Sequence, residues 1–131
     1  MLKDFINWIQ YKILIHGSTK NIVFKEKQVW WCSLGVNVGV EIDGKNTKFN
    51  MPVLIFKKFN HHQFWGIPLT SQIKQENDLY FKIQVKGKTS YVCLSQMRIF
   101  DSKRLNNLIF QMDKNIFDKI KDKIVQIIQK K

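Results

Sequence analysis

A chain of 131 residues, 44% hydrophobic and 24% charged, with no low-complexity tract, repeat or Pro/Gly-rich linker, reads as one globular domain and argues against a second. Twenty-two Lys and Arg face ten Asp and Glu, a net charge of +12. That excess favours a polyanionic partner, although lysines that only solvate the surface are the plainer reading, and charge does not choose among RNA, DNA and an acidic protein.

Leu2, Phe5, Ile6, Ile9 and Ile13 recur at spacings of three and four, the stripe of an amphipathic helix that Gly17 would end. Trp8, Tyr11, Leu14 and Ile15 widen its apolar surface, so the helix is expected to pack on the domain or on a partner. Asp4, Asn7, Gln10 and Lys12 break any signal-peptide core, and no run approaches the roughly 20 apolar residues of a membrane span. A cytoplasmic protein is the expectation.

From Ile22 to Leu94 the period shortens, and strands are predicted near Gln28–Leu34, Val53–Phe59, Phe64–Leu69, Tyr80–Val85 and Ser90–Leu94. Lys86-Gly87-Lys88 and the 59–63 stretch read as hairpin connections. Short strands at this spacing point to a small barrel. Leu105 to Met112 reads as a short helix followed by an edge strand. Asp113 then caps a last helix, with Ile116, Phe117, Ile120, Ile124, Ile127 and Ile128 as its buried face and lysines elsewhere. Lys130 and Lys131 complement the negative end of its dipole.

Two tempting motifs fail on physical grounds. His61 and His62 are adjacent, so on a strand they point to opposite faces, and a solvent-exposed turn is the better reading. Gly87-Lys88-Thr89 lacks the upstream glycine of a phosphate loop, since Lys82 stands there, and it sits in a hairpin. Cys32 and Cys93 lie apart in apolar runs, with no clustered metal ligands, and read as buried thiols; a disulfide would need their strands to be neighbours. Neither a metal nor a cofactor is expected. Trp30, Trp31 and Trp65 could stack bases, but core packing explains most strand aromatics.

Three blocks carry more information than the rest. They are Val29-Trp30-Trp31-Cys32-Ser33-Leu34-Gly35; Pro52-Val53-Leu54-Ile55 leading to Trp65-Gly66-Ile67-Pro68-Leu69-Thr70-Ser71; and Leu94-Ser95-Gln96-Met97-Arg98 running to Ser102-Lys103-Arg104-Leu105. In order and spacing they resemble the PemK/MazF family of toxins from toxin–antitoxin pairs, over roughly residues 26 to 128. The resemblance implies an SH3-like small barrel, mainly β, with a C-terminal helix; residues 1–25 form an additional N-terminal helical extension on a single domain of 1–131.

It also implies a homodimeric, metal-independent endoribonuclease that cleaves single-stranded RNA at specific sequences and is neutralised by a cognate acidic antitoxin. In that reaction a 2′-hydroxyl attacks its own 3′ phosphate, leaving a cyclic phosphate and a 5′-hydroxyl. Thr70 matches the family's catalytic threonine, with Ser71 beside it. Gln96 matches a substrate-contacting glutamine, and Arg98, two residues on, would share its face of a strand. Glu41 aligns with a glutamate near the RNA path. One position departs from the pattern: Met51 stands where the family usually places a catalytic arginine, and a thioether has neither charge nor donor for a phosphorane. Lys45, Lys48 and Arg98 are the cations that would compensate, without the arginine fork in the case of the lysines. The alternative is a catalytically silent relative that binds RNA or antitoxin. Nothing in the C-terminal part resembles the gyrase-inhibiting group that shares this fold.

Overall fold

Residues 3–73 and 75–130 are described in the computed structural model. Leu2 of the predicted stripe and the terminal Lys131 lie outside them. Helix α1 (Phe5–His16) is followed by strands β1 (Gln28–Ser33), β2 (Asn50–Lys58), β3 (Gln63–Thr70), β4 (Tyr80–Val85), β5 (Lys88–Cys93), β6 (Arg98–Asp101) and β7 (Leu105–Gln111), and then by helix α2 (Lys114–Gln129). The strands pair antiparallel in the order β4-β5-β3-β2-β1-β7, with β6 on β3. This is the predicted small β architecture with its flanking helices, but β4 and β7 are not paired among the described residues, so the sheet does not close.

Alternation along the strands makes two apolar layers. Val29, Leu54, Ile67 and Val92 face Phe117, Ile120 and Ile124 of α2. Val53 and Ile55, the other parity of β2, pack with Phe24, Cys32, Phe64 and Phe100. Each such side chain, once buried, is worth roughly 1.5–3 kcal/mol. The β4–β5 hairpin turns on Lys86 and Gly87, both at positive φ (51° and 79°), the geometry of a two-residue type I′ turn. Asp113 caps α2 by accepting from the Asn115 N–H at 3.1 Å. Ile128, assigned to the buried face of α2, is instead exposed, because the core ends at Ile127.

Two further expectations are corrected. Leu105–Gln111 contains no helix; it is an edge strand throughout, paired with β1 through two register shifts. Helix α1 buries the opposite face from the predicted stripe: Phe5, Ile6, Ile9 and Ile13 are exposed, while Trp8 is buried with Tyr11 and Ile15 beside it. The indole supplies the largest apolar surface on the helix, and it meets a glycine, Gly35, that leaves room for it.

Cys32 and Cys93 are free and buried, on strands that are not neighbours. Burial pushes both thiols up to about 12 from an ordinary 9.0. The folded chain therefore holds these protons to higher pH than the unfolded chain. The stability they contribute is complete below pH 9 and falls as pH rises toward 12, by up to about 1.4 kcal/mol per pH unit for each thiol. Urea midpoints measured across that window are expected to fall less steeply for Cys32→Ala and Cys93→Ala than for the wild type.

Candidate functional site

The 36–49 segment between β1 and β2 carries three of the predicted residues and is a built structure rather than a loose loop. Lys45 and Asn50 exchange two backbone hydrogen bonds, both 2.8 Å, closing a tight turn in which Asn46 and Phe49 take positive φ. Gly44 is required by close approach, since a β-carbon there would meet the Phe49 carbonyl oxygen. Nearer β1, Asn37 donates its amide N–H to Asp43 at 2.7 Å, and Lys3 bridges from the N-terminus to Asp43 at 3.0 Å and to the Asn37 carbonyl at 2.7 Å. Trp8 packs against Val36 and Phe49, with its ring 5.4 Å from that of Phe49. The N-terminal helix thus clamps this segment.

The predicted residues other than Lys48 fall around two cavities bordered by the end of β3. The first, about 550 Å³, is lined by Glu41, Gln96 and Arg98 together with Leu34 and Pro68. Gln96 is on a single 3-10 turn, 94–96, not on a strand, so it reaches Arg98's side of the molecule by that turn rather than by strand alternation. Its side chain is engaged at both ends: Oε1 accepts from the Ile42 N–H at 3.2 Å and Nε2 donates to the Val40 carbonyl at 3.2 Å. Glu41 accepts from the Val38 N–H at 2.9 Å, within its own loop. The Arg98 guanidinium sits 4.7 Å over the Phe100 ring, exposed on β6.

The second cavity, about 340 Å³, groups Lys45, Thr70 and Ser71 with Trp31, Asn50, Met51 and Ser90. Thr70 ends β3 and its hydroxyl closes a local turn, donating to the Gln72 carbonyl at 3.0 Å and accepting the Gln72 N–H at 3.2 Å. The β2–β3 ladder ends at Val53 and Pro68, and beyond it Leu69 and Thr70 pair with β5, so Met51 and Thr70 meet as walls of one cavity rather than as ladder partners. Met51 is only 6% exposed and packs with Cys32 and Val53, yet it lines this cavity. Lys48 is exposed and lines neither cavity. His61 and His62 lie exposed in the β2–β3 connection, away from both.

Sequence reasoning passed over Arg104. Its guanidinium donates to the Ser33 carbonyl at 3.0 Å and lies 5.7 Å from the Trp8 ring, tying β1, α1 and the 102–104 turn together. Burial holds it below the usual arginine range, helped by the neighbouring Arg98 charge. Lys20 is likewise lowered by burial and then by Lys48, while it donates to the Leu105 carbonyl at 3.2 Å. Arg104 thus feels the charge of Arg98, and Lys20 that of Lys48.

Residues 25–128 match the family described as the PemK-like, MazF-like toxin of type II toxin–antitoxin systems. No curated protein sequence matches the chain. Among solved structures, MazF from Deinococcus radiodurans aligns with a TM-score of 0.64 at 16% identity, over 82% of this chain and 97% of that one. An endoribonuclease from a mycobacterial species, solved in complex with its cognate antitoxin, gives 0.63 at 14% identity over 83% and 98%. The Deinococcus radiodurans MazE–MazF complex gives 0.58 at 13% identity over 82% and 97%. At these identities the structures speak for the fold, and the match over 25–128 speaks for the family. The chain belongs to the PemK-like, MazF-like toxins of type II toxin–antitoxin systems.

Proposed function

We propose that this toxin is a metal-independent endoribonuclease that cleaves single-stranded RNA at specific sequences, acts as a homodimer and is held in check by an acidic antitoxin. The observation that carries the reading is the second cavity, which Thr70, Ser71 and Lys45 line together with Met51. A phosphate seated there would meet a hydroxyl donor, a second hydroxyl and a cation, the groups that a charged phosphorane requires. Gln96, Arg98 and Glu41 extend the path as substrate contacts, and Lys48 adds to the field. The net charge of +12 suits both a polyanionic substrate and an acidic antitoxin competing for the same surface. One of the similar structures is itself named an endoribonuclease bound to its antitoxin.

The second reading is a silent relative that binds RNA or antitoxin without cutting. It is favoured by the apolar, buried Met51 and by the Thr70 hydroxyl being engaged with Gln72. A single assay separates the two. The purified protein is incubated with a long single-stranded RNA in excess EDTA. The nuclease reading expects products with 5′-hydroxyl ends, and a loss of about 10²-fold or more in rate for Thr70→Ala. RNA that is bound but uncut by the wild type decides for the silent relative.

A further inference from the structure

Of the four tryptophans, Trp8 and Trp30 are buried, and Trp65 is exposed but covered edge-on by Phe59, 5.0 Å away. Trp31 shares Trp65's exposure and its place in a doubly paired strand, and is the tryptophan that lines the cavity of Thr70. It sits in the middle of a strand paired on both sides, opposite Pro52 and Asn107, yet it is 38% exposed and lines the cavity that contains Thr70. Beside it the cavity presents hydroxyls, amides and one lysine, from Thr70, Ser71, Ser90, Asn50, Asn46 and Lys45, with Met51, Pro52 and Leu69 as its apolar part. Asn50 is held in place there, accepting from Ser33 at 3.3 Å and from Asn106 at 2.6 Å.

An exposed indole beside hydroxyls and a cation is a surface that a flat, charged ligand can cover. Single-stranded nucleic acid supplies both halves of what this wall offers: a charged backbone for the lysine and hydroxyls, and a π-face for the indole. A residue within a strand that has a neighbour on each side has its backbone fixed in advance, so little ordering is lost on stacking.

We infer that Trp31 is the stacking platform for the nucleobase adjoining the phosphate held at Thr70. The inference rests on the RNA-cleaving reading above and goes beyond it by naming the residue that grips a base. Stacking is tolerant of base identity, so Trp31 supplies affinity and registers the strand along the cavity, while sequence choice falls to other groups. Trp31 acts by contact with substrate and takes no part in proton transfer.

The test uses the full chain with a short, mixed-sequence 2′-O-methyl oligoribonucleotide, which blocks the 2′-hydroxyl and so cannot be cut, and an abasic oligomer with the same backbone. Trp31→Leu, which keeps an apolar side chain but removes the π-face, is expected to weaken binding of the base-bearing oligomer about tenfold to a hundredfold. It should bind the abasic oligomer as the wild type does, which a general folding defect would not allow. Trp31→Phe should retain most of the affinity while losing the RNA-induced quenching of tryptophan fluorescence, and Trp65→Phe should keep that quenching. Wild-type binding with undiminished affinity in Trp31→Leu overturns the stacking role alone. Failure of the wild type to bind the base-bearing oligomer sinks the RNA reading and this inference together. Quenching that follows protein concentration without RNA assigns Trp31 to a contact with a second copy instead, and also overturns it.

Discussion

Replacing Met51 with arginine is expected to raise the rate of RNA cleavage by about 10²–10³-fold, the loss typical of removing one donor from a preorganised anion site, read in reverse. Met51 lines the same cavity as Thr70, so a longer side chain at position 51 can reach the space beside the threonine. Methionine offers that cavity no donor, whereas arginine would bring five in a rigid fork that fits phosphate oxygens. Position 51 is nearly buried against Cys32 and Val53. A guanidinium can occupy it only by running its stem along those neighbours and putting its head into the cavity. The substitution should cost about 1–3 kcal/mol of stability even when it succeeds. Single-turnover cleavage in EDTA, measured beside thermal unfolding, reads both effects. Adding Thr70→Ala to Met51→Arg should return the rate to that of the wild type. Met51→Lys should gain less, since a point charge lacks the fork. Equal rates for wild type and Met51→Arg would mean that Lys45 or another cation already supplies the charge.

The parts of this molecule legible in the sequence were those encoded locally. Lys86-Gly87 between two β-rich runs specifies its own turn, Asp113 specifies its own helix start, and the Phe117, Ile120, Ile124 spacing specifies a buried stripe. Helix α1 was legible as a helix but not in orientation, because it is apolar on more than one face. Periodicity gives a period; only the partner, here Gly35 and Phe49, chooses the side. Strands β6 and β7 were missed or half-missed because a four-residue strand and an edge strand with two register shifts carry little pattern of their own. At the site, motif order brought Thr70, Ser71 and Lys45 to one cavity and Glu41, Gln96 and Arg98 to another. What no motif reveals is that Gln96 spends both ends of its amide on the backbone of the 36–43 loop, or that Arg104 joins β1 to α1, since both depend on contacts between residues more than fifty positions apart.

The clamp formed by α1 leads to the largest expected stability effect, at Gly35. Gly35 has φ +84°, and a β-carbon there would lie 2.1 Å from Cε2 of Trp8, far inside contact distance. Gly35→Ala therefore faces two separate costs: about 1–2 kcal/mol for an L-residue in the left-handed region, and about 1–3 kcal/mol for overpacking against a buried indole that has Phe49 and Val36 behind it. The summed loss should be about 2–5 kcal/mol by chemical denaturation, with Trp8 fluorescence shifted to the red as the indole is displaced. Trp8→Ala alone removes the main anchor of α1 and should cost up to about 3–5 kcal/mol, less if the helix undocks locally while the β-sheet stays folded. In that background Gly35→Ala has only the backbone cost left, so the two substitutions should be non-additive by about 1–3 kcal/mol. The same cycle tests the link to function, because the segment clamped by Trp8 and Lys3 also carries Glu41 and Lys45. Either single substitution should speed amide exchange at Asn37 and Ile42, whose N–H groups are held by Asp43 and Gln96. A Gly35→Ala cost that is the same with and without the indole would mean that Trp8 does not rest on Gly35, and that α1 leaves the loop free.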